Sequence, residues 1–121
     1  MARSDADYRP AIGFALILLV TSLLPVPEGA GESLPALLGV PLDKWVHAAS
    51  YALLTGLLAW GRRTRDRSAV ATLSVLATGY GAGIELLQAL VATRGLSAAD
   101  MLANAVGAAV AAIAYIVARS R

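Results

Sequence analysis

The chain has 121 residues, 58% hydrophobic and 15% charged, with a mean hydropathy of +0.67. That composition lies outside the range of soluble domains and inside that of membrane proteins, and the length bounds a single domain over residues 1–121. The formal net charge of +2 comes from a few arginines rather than a basic stripe interleaved with aromatics, so nucleic acid is not an expected partner, and the absence of cysteine excludes disulfides and thiolate metal sites.

The first apolar run, Ala11 to Leu24, predicts a helix over about 10–24. Pro10 suits a first helical turn, where its missing N–H is harmless, Tyr8 can sit in the interface, and Pro25 and Pro27 end the helix. Arg3 and Arg9 ahead of this run resemble the basic region of a cleaved signal peptide. The residues that follow, Pro25 to Gly29, offer no clear small-x-small cleavage site, so an uncleaved anchor is expected.

The segment Pro25 to Pro41 is rich in proline and glycine, carries Glu28 and Glu32, and reads as an extracytoplasmic loop. Its stretch Leu34 to Val40 is apolar enough to lie in the membrane interface or dip over a site as a lid. Further apolar runs predict helices over about 43–61, 69–92 and 100–118, each approaching the ~17–25 residues that cross a bilayer. The expected fold is an all-α integral membrane four-helix bundle. Small residues Gly79, Gly81 and Gly83 in the third helix, and Ala103, Gly107, Ala111 and Ala114 in the fourth, allow close helix approach.

Eight of the ten lysines and arginines fall in the amino-terminal tail, the second loop and the carboxyl tail, while the first and third loops hold only Lys44 and Arg94. Cytoplasmic segments carry such an excess, so both termini are expected to be cytoplasmic and the odd-numbered loops to face outward. This topology brings the end of the third helix and the starts of the second and fourth to one outer surface.

The strongly polar residues of the apolar segments gather at that surface. Asp43, His47 and Tyr51 recur at four-residue steps on one face of the second helix, with His47 about 6 Å and Tyr51 about 12 Å below Asp43. Asp43 also suits a helix cap, and Lys44 suits either an interfacial anchor or an anionic head group. His47, the one histidine, fits a proton shuttle, a phosphate donor or a hydrogen-bonded structural role. With no second histidine, no metal site is expected.

Glu85 and Gln88 share a face of the third helix, and Glu85 lies about 10 Å in from Ala92. An unpaired carboxylate at such a depth costs on the order of 2.5–3.5 kcal/mol, so Glu85 is expected to be protonated, paired with His47 or Arg94, or wet. Ser97 and Asp100 have the spacing of a capping box, the serine accepting from the backbone while the carboxylate reaches back. Asn104, one turn further in, looks aimed at Glu85, Gln88 or a ligand.

The ordered set Asp43-Lys44-x-x-His47 with Tyr51, Glu85-x-x-Gln88, then Arg94, Ser97, Asp100-x-x-x-Asn104 and Gly107 resembles the VanZ-like family of small multi-pass bacterial membrane proteins. The resemblance covers about Asp43 to Ala112, and Ala48 stands where the family often has an aromatic residue. The resemblance implies a role in the cell envelope at the cytoplasmic (inner) membrane, linked through the family's founding member to resistance against the glycopeptide antibiotic teicoplanin, and it implies no particular reaction.

The expected function is recognition of an anionic amphiphile, a membrane lipid or lipid-linked envelope precursor, by this outward polar site. Lys44 and Arg94 would meet phosphate or carboxylate while the other residues order hydrogen bonds. Two alternatives remain open from the residues: an intramembrane enzyme with Glu85 and His47 as acid–base pair and Asp100 orienting the histidine, or a small proton-coupled transporter. No nucleotide loop, metal cluster or catalytic triad is present, no cofactor is expected, and self-association of copies is left open.

Overall fold

The computed structural model describes residues 5–24, 35–91 and 97–119. Four helices run α1 (Arg9–Leu23), α2 (Leu42–Arg62), α3 (Arg67–Val91) and α4 (Ala98–Arg119), with a two-stranded hairpin, β1 (Ala36–Leu37) and β2 (Val40–Pro41), between α1 and α2. The described elements are helical as expected, apart from this hairpin.

Local chemistry sets the boundaries. Pro10 occupies the first turn of α1, and Leu24, which precedes Pro25, is already extended at ψ 143°. The Asp66 carboxylate accepts from the Ser68 amide at 3.2 Å and so caps α3 from the loop. Ser97 Oγ accepts from the Asp100 amide at 3.1 Å and starts α4. α2 ends with Arg63 in the left-handed region, its amide donating to the carbonyls of Ala59 and Trp60.

Each packed helix buries one stripe at helical spacing. On α2 it is Tyr51, Leu54, Thr55 and Ala59, and on α4 it is Asn104, Gly107, Ala108 and Ala112. On α3 the stripe begins apolar with Val70, Leu73 and Ala77 and turns polar at Glu85 and Gln88. Ala59, Val70, Leu73 and Ala112 fill the core near the arginine-rich end, and Tyr51, Leu54, Ala77 and Ala108 fill the middle. The helix faces pointing outward carry Ile12, Ile17, Val20, Val75, Leu76, Leu90, Leu102, Val110 and Ile113, all more than half exposed.

α2 and α4 make the closest crossing. A side chain at Gly107 would overlap the backbone carbonyl of Ala48, so only glycine permits this approach. α1 lies against α2 and α3, where the Tyr80 hydroxyl donates to the Ala15 carbonyl and Gln88 Nε2 donates to the Ser22 carbonyl at 2.6 Å. Tyr80→Phe is expected to cost about 1 kcal/mol in detergent unfolding, the net value of one such bond.

The ends of the bundle are unlike. The Asp7 amide donates to the Gly61 carbonyl at 2.8 Å and the Tyr115 hydroxyl to that of Ala59 at 3.3 Å, which gathers the start of α1 and the ends of α2 and α4. The Arg9 guanidinium, bonded to the exposed Asp7 carboxylate, holds its pKa down at about 2. Among the described residues two helices, α3 and α4, are long and apolar enough to cross a membrane. α1 is apolar but has 15 residues, and α2 has 21 residues with a polar first turn.

The hairpin reverses at Leu38 and Gly39, both with positive φ (54° and 80°), a two-residue turn of the kind that matches strand twist. It is exposed and tied to α2, with Trp45 Nε1 donating to the Leu37 carbonyl at 3.0 Å. Of the two placements expected for Leu34 to Val40, in the membrane interface or over the site as a lid, the described residues do not form the lid. Gly39, Val40 and Pro41 border a separate apolar groove with α2 and α4, and none of residues 35–41 lines the polar cavity, while Leu34 lies outside the described residues.

Candidate functional site

At the end of the bundle opposite the arginines, a half-open cavity of about 230 Å³ is walled by α1, α2 and α3, with Asn104 of α4 at its back. His47 and Tyr51 enter from α2, Glu85 and Gln88 from α3, and Thr21 and Ser22 from α1. These polar groups are deep: Glu85 is 4% exposed, Gln88 8% and Asn104 2%. Gly81 makes the convergence feasible, because a Cβ there would stand 2.8 Å from Asn104 Nδ2 and 2.9 Å from the Tyr51 ring.

Beside the cavity lies an ionic cluster that joins α2 to α4. The Lys44 ammonium is held between Asp43 Oδ2, at 2.9 Å, and Asp100 Oδ1. The other oxygen of Asp100 faces His47 Nε2 at 3.6 Å, beyond direct hydrogen-bond reach. His47 Nδ1 lies 3.1 Å from Asn104 Oδ1, a hydrogen bond in which the Nδ1–H tautomer is the donor. The imidazole therefore belongs to both the cluster and the cavity wall.

Several expected roles change. Asp43 does not cap α2, since Pro41 precedes that helix with no side-chain cap and the Asp43 carboxylate takes Lys44. Asp100 keeps the amide half of the capping box, but its carboxylate turns to Lys44 and His47 across the helix interface, where an ammonium is the stronger partner. The Asn104 side-chain oxygen meets His47 Nδ1, a partner not among those expected for it. Lys44 stands outside the cavity lining, Ser97 serves α4, and Arg94 lies outside the described residues. His47, Tyr51, Glu85, Gln88 and Asn104 share the cavity.

The sequence reading missed Thr21, Ser22 and Ser50, which also line the cavity. Ser50 follows His47 by three and so shares its helix face, a signal that was present; the first helix gave none beyond its apolar character. Among the described residues no group of acidic or histidine side chains is arranged to hold a metal ion.

The Lys44–Asp100 link is partly solvated, with side chains 23% and 18% exposed, so its strength lies between that of surface and buried pairs. A double-mutant cycle of Lys44→Met and Asp100→Asn, read by unfolding in detergent, is expected to give a coupling of about 1 kcal/mol. Additive single effects would show the link to be energetically idle. No family model, curated protein or solved structure matches this chain.

Proposed function

We propose that this chain is a VanZ-like multi-pass protein of the bacterial cytoplasmic membrane, termini in the cytoplasm, whose cavity recognises the polar head of an envelope amphiphile. The observation that carries the reading is the inversion of polarity. Glu85, Gln88, Asn104 and Thr55 are buried while large aliphatic side chains cover the outside. Water does not favour that arrangement, whereas hydrocarbon around the bundle does.

The eight arginines that the sequence puts in the tails and the second loop, of which the described Arg9, Arg62, Arg63, Arg65, Arg67 and Arg119 lie at the opposite end of the bundle, support cytoplasmic termini, and hence a cavity opening in the outer leaflet. Lipid-linked wall precursors and lipidated antibiotics are amphiphiles of the required kind, in keeping with the family's link to teicoplanin. The packed apolar clusters below Tyr51 favour a one-sided binding site over a transport route. Both nitrogens of His47 face protein groups, which favours a positioning role over that of a proton acceptor for a reaction.

Native purification with mass spectrometry of bound lipid tests this. Wild type and Gly83→Ala are expected to retain one amphiphile, and Glu85→Gln to lose it while unfolding at the wild-type temperature. A wild-type protein from which no amphiphile is recovered would overturn the proposal.

A further inference from the structure

We propose that a second site, at the end of the bundle away from the cavity, takes the phosphate of a net-anionic phospholipid of the inner leaflet. It rests on membrane residence with cytoplasmic termini, and not on the cavity or its occupant.

The site is a recess of about 420 Å³ between the ends of α2 and α4, lined by Trp60, Arg63, Tyr115 and Arg119. Two guanidiniums and two aromatic rings thus make up its described lining, with no carboxylate among them. Guanidinium forks meet phosphate oxygens in pairs, while tryptophan and tyrosine favour the level of lipid head groups.

Local structure fixes both arginines. Arg63 ends α2 in the left-handed region at φ 59°, where glycine is the usual residue and a side chain is strained. Strain of that kind points to a function for the side chain, and here the guanidinium lines the recess. Arg119, in the last turn of α4, stands over the Tyr115 ring with Cζ 6.0 Å from its centroid. A guanidinium held by its face presents its N–H donors edge-on.

The charges around the recess favour an anion. Helix carboxyl ends repel one, but the Ala59 and Trp60 carbonyls accept from the Arg63 amide, and that of Ala59 also from the Tyr115 hydroxyl. The Asp7 carboxylate is held ionised first by Arg9, which bonds both its oxygens, and also by Arg63. A guanidinium has five N–H donors, so either arginine can keep a protein partner and still meet a phosphate. A zwitterionic head would bring its own ammonium beside two guanidiniums, which disfavours it. Trp60 is 58% exposed, and Leu53, seven residues earlier on the same face of α2, is 50% exposed, which gives an acyl chain an apolar track out of the recess.

The test uses the full chain with Trp45→Phe, which leaves Trp60 as its one tryptophan, in phosphatidylcholine nanodiscs. About a tenth of the lipid is replaced by phosphatidylglycerol or phosphatidylcholine with brominated acyl chains, and quenching of Trp60 is read. Brominated phosphatidylglycerol is expected to quench about three-fold more strongly. Arg63→Gln and Arg119→Gln should each cut that preference by about half or more. Arg65→Gln, which removes the same charge from the loop outside the recess, should leave it unchanged. Should the Arg63 variant fail to fold, Arg119→Gln and the wild-type preference still decide.

Equal quenching by the two brominated lipids would overturn the site. So would an effect of Arg65→Gln as large as that of Arg119→Gln, which would mean diffuse surface charge. Reversal of the quenching by inorganic phosphate at constant ionic strength would assign a soluble anion in place of a lipid. Glu85→Gln is expected to leave the preference intact, so failure of this site and failure of the cavity are read separately.

Discussion

Gly107→Ala is expected to destabilise the protein by about 3 kcal/mol or more, the largest effect of any single methyl group added to this bundle. The added carbon would overlap the carbonyl oxygen, the carbonyl carbon and Cα of Ala48, all backbone atoms of a helix that cannot rotate away. α2 and α4 would have to separate, and the Lys44–Asp100 and His47–Asn104 links, which span the same interface, would lengthen with them. Gly79 and Gly83 on α3 provide the control, because an added Cβ there meets nothing within 4 Å. Alanine at either is expected to stabilise by up to about 1 kcal/mol through helix propensity alone. Thermal unfolding followed by circular dichroism in detergent separates the two classes, and equal effects at positions 107 and 79 would refute the proposed crossing.

Asn104→Ala is the second large effect, expected at about 2 kcal/mol. The side chain is almost fully buried, so its loss leaves a void behind the cavity and removes the hydrogen-bond partner of His47 Nδ1. The tautomer of His47 should change with it. Nitrogen-15 chemical shifts of the imidazole report this directly: wild type should show a protonated Nδ1, and the variant a mixture of tautomers. An unaltered histidine spectrum would show that Asn104 does not orient the ring. Bound amphiphile should be lost in the same variant, since Asn104 forms the back of the cavity.

The four helices were legible because apolar runs and prolines mark them. Their first residues were less so: Arg67 and Ser68 are polar yet helical, since Asp66 caps them from the loop, and Ser97 brings Ala98 and Ala99 into α4. The hairpin was not legible. Its strands have two residues each, and Leu38-Gly39 lacks the asparagine or aspartate that usually signals such a turn.

For the site, periodicity placed Asp43, His47 and Tyr51 on one face and Glu85 with Gln88 on another. Partners across helices depend on how α2 is rotated against α4, and Gly107 sets that rotation through a contact no spacing rule encodes. Asp100 could therefore be assigned to its own helix terminus from sequence but not to Lys44, and Asn104 could be read as inward-facing but not as the partner of His47.

The hairpin has one more consequence. The Leu42 amide donates to the Pro35 carbonyl at 2.9 Å and Trp45 Nε1 to that of Leu37, so seven residues, 35–41, are clipped onto the first turn of α2. Tension arriving along the chain from upstream is taken up at this clip before it reaches His47. The chain thereby enters α2 through a staple of its own making, one turn ahead of His47.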